Sequence, residues 1–200
     1  VQTANINPGV LSEEDLANYK VIERQAVCGE YRDKQICGMA PPSSGGINVY
    51  QILKLLERFN LPDYAIDGPE FANLYTQASA LAYADREKFI ADSDFTNLPY
   101  AALINEGYLE RRGEFIAPDK PWRFARAGEP FSTQVIAGST LEQPNTSHFV
   151  VVDKAGNAVS MTTSVEFMFG SGLMVDGFLL NNQLTDFSFS PSQNRFPVPN

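Results

Sequence analysis

Few stretches restrict a fold as tightly as residues 145–164, NTSHFVVVDKAGNAVSMTTS. Two runs rich in β-branched residues flank DKAGN. There, a three-residue loop at Lys154, Ala155 and Gly156, with glycine in the left-handed position, pairs Asp153 with Asn157. From that pair the register follows by counting outward: Val152 faces Ala158, Val150 faces Ser160, His148 faces Thr162 and Thr146 faces Ser164, provided no bulge intervenes. Side chains alternate across a strand, so Thr146 and the hydroxyl of Ser164 share one face of an antiparallel hairpin.

The chain upstream has a different period. Residues 1–116 read as mostly helical and are followed by the strands, an α+β order. Ser12 and Asp15 form a capping-box pattern that opens a helix through SEEDLANYKVI, with Leu16 and Tyr19 expected on its inner face. After the loop PPSSGG, residues Val49, Ile52, Leu53, Leu56 and Phe59 recur at helical spacing until Pro62. Further amphipathic stretches run from about Pro69 to Ile90 and from about Pro99 to Arg112, with proline in a first turn. None carries a catalytic signature. Residues 117–145, rich in Pro, Gly and Ser and without period, read as a linker that delivers the chain to Thr146. At 200 residues and 44% hydrophobic, the chain has enough apolar surface for one sizeable core.

Charge and cysteines narrow the setting. A formal net charge of -9 without a Lys/Arg cluster argues against a nucleic-acid or anionic-membrane partner. No apolar run approaches the roughly 20 residues of a membrane helix, and the start VQTA is not that of a signal peptide, so the chain looks mature or cut from something longer. In VCGEYRDKQICGM a two-residue turn at Arg32 and Asp33 pairs Tyr31 with Lys34 and so sets Cys28 opposite Cys37, within disulfide range. A disulfide implies an oxidising compartment, periplasmic or extracellular; the alternative is two small buried thiols of a cytosolic protein.

Thr146 admits two readings. A β-branched residue at the start of a strand is ordinary. Alternatively, if the chain is cut just before it, the new α-amine, with a pKa near 7.7 to 8.0, is partly neutral at physiological pH and can take the proton of the threonine's own hydroxyl. His148, the only histidine, lies on the same expected face and offers a second base.

The stretch NTSHFVVVDKAGNAVSMTTSVEFMFGSGL, followed by GFLLNNQLTDFS, closely resembles the start of the small subunit of γ-glutamyltranspeptidases. Upstream, LSEEDLANY, MAPPSSGG, ADREKFIADSDFTNLPYAALI and the linker resemble the end of that family's large subunit, so the likeness covers nearly the whole chain. It implies part of an αββα N-terminal-nucleophile hydrolase sandwich, divided into a helical large-subunit segment (1–116), a linker (117–145) and the start of the small subunit (146–200). It also implies self-cleavage between Asn145 and Thr146, with Thr146 as nucleophile and Ser164 as the supporting hydroxyl. Thr146 would then accept an acyl group from a glutathione-like γ-glutamyl donor and pass it to water, an amino acid or a peptide, without metal or cofactor.

Gln183 and Asp186, in NNQLTDF, match positions that help bind the donor's α-amino group; taken without the family, Asn181, Asn182 and Asp186 are ordinary turn formers. At Glu166 the family usually has asparagine. A carboxylate there accepts an ammonium but repels a donor carboxylate, which also suits a cephalosporin-acylase-like or glutaryl-acylase-like amidase; a non-catalytic scaffold is a third reading. The family's Ser-Ser clamp, Gly-Gly oxyanion loop and carboxylate-binding arginine are not in these 200 residues. The segment alone is therefore expected to be silent.

Overall fold

The computed structural model describes residues 10–119, 124–132 and 146–186, which divide into two compact units. One is formed by the described residues of Arg24–Thr140. The other comprises those of Val1–Glu23 and Leu141–Asp186.

The helical unit begins with a hairpin, β1 (Val27–Tyr31) and β2 (Lys34–Gly38), paired antiparallel with Tyr31 opposite Lys34 and Cys28 opposite Cys37. The counted register is the observed one, and the two cysteines are joined as a disulfide across a Cα separation of 4.1 Å. Arg32 turns the chain at φ 54°, and its N–H donates to Glu57 Oε1 at 2.7 Å. Glu57 ends α2 (Gly45–Glu57), so the hairpin tip is tied to that helix. Gly29 lies under the Tyr50 ring, where an added Cβ would come within 2.3 Å of a ring carbon, and the Tyr50 hydroxyl donates to the Glu30 carbonyl. Only glycine allows this approach.

Helix α2 buries Ile47, Asn48, Tyr50, Gln51, Leu55 and Leu56. The expected face is thus rotated: Val49 is 52% exposed, and two polar residues occupy the buried stripe. Gln51 is held through its amide nitrogen, Nε2 donating to the Leu103 carbonyl at 2.9 Å and more weakly to Asp85, while its Oε1 is buried without a partner among the described residues.

Helix α3 (Pro69–Phe89) buries Leu74, Gln77, Ala78, Leu81, Ala82, Asp85 and Phe89, a regular stripe at steps of three and four. The expected helix from Pro99 to Arg112 is instead a 3₁₀ turn, Tyr100–Ile104, followed by α4 (Glu106–Gly113). The break falls at Asn105, whose side chain accepts the Tyr108 N–H at 3.1 Å and so starts a new helix.

Two apolar clusters result, one around Ile47, Phe89, Leu103 and Leu109, the other around Leu55, Leu74, Leu81 and Ile116. Each fully buried leucine contributes about 1.5–3 kcal/mol. Between α3 and α4, the buried Asp85 carboxylate accepts from Tyr108 Oη (2.6 Å), Arg112 Nη2 (3.0 Å) and the Gly128 N–H (2.8 Å). Arg112 also donates to the Arg126 carbonyl at 2.9 Å, so residues 126–128 are held in the helical unit. Burial, and then the Asp85 charge, push the Tyr108 phenol far above its usual range, keeping it a neutral donor.

The second unit contains α1 (Glu13–Asn18) and strands β3 (Ser147–Val152), β4 (Ala158–Thr163), β5 (Met174–Val175) and β6 (Phe178–Leu179). The capping box forms as expected, with Ser12 Oγ accepting the Asp15 N–H and Asp15 accepting the Ser12 N–H. The helix nevertheless stops at six residues, with Leu16 75% and Tyr19 77% exposed. A helix this short makes few internal bonds, and its apolar residues have no covered face to hold it. Strands β3 and β4 pair antiparallel, as do β5 and β6. The whole is α+β, helices with small two-stranded antiparallel sheets.

Candidate active site

The hairpin turn sets everything that follows. The Asp153 N–H donates to the Asn157 carbonyl at 2.9 Å, and Gly156, at φ 86°, donates to the Asp153 carbonyl at 3.1 Å. The Asp153 carboxylate accepts the side-chain amide and N–H of Asn157 and the N–H of Ala155. The Asn157 amide, and then these backbone donors, hold the Asp153 carboxyl below the usual carboxylate range. From this turn the pairing runs Val152 with Ala158, Val150 with Ser160, His148 with Thr162 and Ser147 with Thr163, with no bulge.

The next step of that register brings the two hydroxyls together: Thr146 Oγ1 donates to Ser164 Oγ at 3.1 Å. Thr146 is exposed and Ser164 half-buried. The histidine is engaged elsewhere. His148 Nδ1 lies 2.8 Å from Thr162 Oγ1 and Nε2 lies 3.1 Å from Ser160 Oγ, so both ring nitrogens meet hydroxyls of β4. That arrangement makes His148 a cross-strand tie.

After Ser164 the chain bends. Glu166, half-buried, has φ 73°, and its N–H donates to Ser164 Oγ at 2.9 Å. Gln183 opens a 3₁₀ turn, Gln183–Asp186, whose first N–H donates to Asn181 Oδ1 at 3.1 Å. Asp186 ends that turn. Asn145 lies outside the described residues. The structure thus brings Thr146, Ser164 and Glu166 into one hydrogen-bonded row.

Asn182, which reads from sequence as a turn former, does more than turn the chain. Its N–H donates to the Val165 carbonyl at 3.3 Å, and its Oδ1 accepts the Phe167 N–H at 3.0 Å. The only sequence signal for this was an Asn pair following a strand, a pattern that local turns produce equally well. Among the described residues no group of three His, Cys, Asp or Glu side chains has the placement to hold a metal ion, and no helix is long and apolar enough to cross a membrane.

The chain as a whole has counterparts among known proteins. The family profile described as gamma-glutamyltranspeptidase matches residues 1–200. The glutathione hydrolase proenzyme of Escherichia coli (strain K12) is 38% identical over 97% of this chain and 32% of its own length. The acylase ACY 1 proenzyme of Pseudomonas sp. (strain SE83) is 30% identical over 94% of this chain and 32% of its own. The crystal structure of cephalosporin acylase from Bacillus halodurans superposes with a TM-score of 0.72 at 23% identity, over 92% of this chain and 31% of that one, a likeness of fold. The chain spans about a third of the length of the curated relatives it matches.

Proposed function

The chain belongs to the gamma-glutamyltranspeptidase family, and we propose that it carries the processing site and nucleophile of a γ-glutamyl hydrolase or transferase acting on glutathione-like donors. In this reading 1–116 end a large subunit, 117–145 lead to a self-cleavage site between Asn145 and Thr146, and 146–200 begin a small subunit within an αββα sandwich. The observation that carries it is the 3.1 Å hydrogen bond from Thr146 to Ser164, the two residues that the sequence resemblance assigns as nucleophile and supporting hydroxyl.

The chemistry follows from Thr146 alone acting as nucleophile and base. Its Oγ1 attacks the γ-amide carbonyl carbon, the hydroxyl proton passes to its α-amine and on to the departing nitrogen, and the C–N bond breaks to leave an ester. Water, an amino acid or a peptide then attacks the ester and frees Thr146. Ser164 orients the nucleophile, while Glu166, Gln183 and Asp186 surround the donor, with Asp186 pairing to an ammonium. No step asks for a cofactor. The Cys28–Cys37 disulfide supports a periplasmic or extracellular setting.

A second reading, an acylase with another acyl group, draws support from Glu166, whose carboxylate disfavours a donor carboxylate, and from the 30% identity to an acylase proenzyme. Two measurements on the full protein decide. Intact mass spectrometry should give two species that part at Asn145–Thr146. A γ-glutamyl anilide should be hydrolysed faster than a glutaryl amide; the reverse order selects the acylase, and an uncut, inert protein refutes both.

A further inference from the structure

Ser164 is held by more than its place in a strand. Its Oγ receives the Thr146 hydroxyl at 3.1 Å and the Glu166 N–H at 2.9 Å. An N–H two residues on reaches back to a serine oxygen only where the chain turns sharply. Here the turn is made at Glu166, with φ 73°, a backbone region uncommon for residues other than Gly, Asn and Asp. Such a conformation persists where its surroundings enforce it. Asn182 does so from both sides, because its N–H holds the Val165 carbonyl and its Oδ1 holds the Phe167 N–H, the two residues that flank Glu166. Gly170, at φ 53°, lets the following chain approach residue 180, where an added Cβ would meet the Leu180 carbonyl oxygen at 2.1 Å.

We infer that Glu166 serves the Thr146–Ser164 pair through its backbone: the Asn182 clamp holds Glu166 left-handed, and the Glu166 N–H anchors Ser164 Oγ where it receives the Thr146 hydroxyl. Glu166 and Asn182 are then positioning residues, a role separate from anything the Glu166 carboxylate does to a donor. The inference rests on Thr146 being the nucleophile.

Self-cleavage of the full protein tests it, because that step involves no donor. Glu166→Asn and Glu166→Val both remove the carboxylate, but asparagine tolerates positive φ and a β-branched residue does not. Followed by denaturing gel after pulse labelling, the Val variant should cut about ten-fold more slowly than the Asn variant. In a Ser164→Ala background the ratio should collapse to about one, since the N–H then has no hydroxyl to orient. Equal rates for Asn and Val, or the same ratio in both backgrounds, overturn the inference; the second result is what general damage to the fold would give. If Ser164→Ala does not cut at all, Asn182→Ala decides, with slowed cleavage supporting the clamp and wild-type cleavage refuting it. A wild-type protein that never cuts, or a Thr146→Ala variant that still does, overturns the nucleophile reading and this inference with it.

Discussion

The two units solve opposite problems. In the helical unit Leu74, Leu81 and Leu103 are fully buried, and a buried carboxylate, Asp85, sits 2% exposed and accepts from Tyr108, Arg112 and the Gly128 N–H. In the hairpin unit every residue of β3 and β4 is exposed, with Val150 at 62% and Val152 at 64%. Order there comes from hydrogen bonds: the Asp153 turn, the His148 tie and the Asn182 clamp. The lesson is that stability and candidate chemistry are held by different forces. Core burial dominates the first, and register dominates the second, where a one-residue slip would move Thr146 to the face away from Ser164.

The largest effect expected separates the two at once. Thr146→Ala in the full protein should abolish self-cleavage and amide hydrolysis while leaving the denaturation midpoint of the helical unit unchanged. Intact mass, turnover and chemical denaturation read all three, and residual turnover near wild type would end the assignment.

Asp85→Ala should do the converse. It leaves Arg112 buried without its carboxylate and frees the Gly128 N–H, which should cost about 3–5 kcal/mol in urea denaturation. A loss below about 1 kcal/mol would show that the helical unit does not depend on its buried pair.

Cutting the Cys28–Cys37 staple, by Cys28→Ser with Cys37→Ser, should lower stability by roughly 2–3 kcal/mol in the chain-entropy model, given the sequence separation of 9. Equal midpoints for the double variant and wild type under oxidising conditions would contradict it. Smaller again is Ser164→Ala, which removes one orienting hydrogen bond worth on the order of 1 kcal/mol and should leave a slower enzyme. Equal losses for Ser164→Ala and Thr146→Ala would refute the division of roles.

The weakest expected effect concerns acid. Asp153 has a depressed carboxyl pKa, so its contribution is present above the unfolded value and lost as pH falls through the folded one. Cross-strand NOEs of the hairpin should therefore weaken below the ordinary carboxylate range, and Asp153→Ala should remove that pH dependence.

Much of this was determined by the sequence alone, wherever a rule acts over a few residues. Both hairpin registers follow from turn chemistry plus a period of two, which is why Cys28 meets Cys37 and Thr146 meets Ser164. The Ser12 capping box and the extent of α3 are local in the same sense. Tertiary structure decided the rest. Gln51 reads as an outer position of α2 until the Leu103 carbonyl and the Asp85 carboxylate, 52 and 34 residues away, accept from its Nε2. The capping box could start α1 but could not sustain it without a covered apolar face. Residues 126–128 read as linker, yet they are held by Asp85 and Arg112. The bend at Glu166 exists because Asn182 reaches back across it. At Gln51, at residues 126–128 and around Glu166, polar groups are held by partners distant in sequence, and no window of neighbouring residues contains those partners.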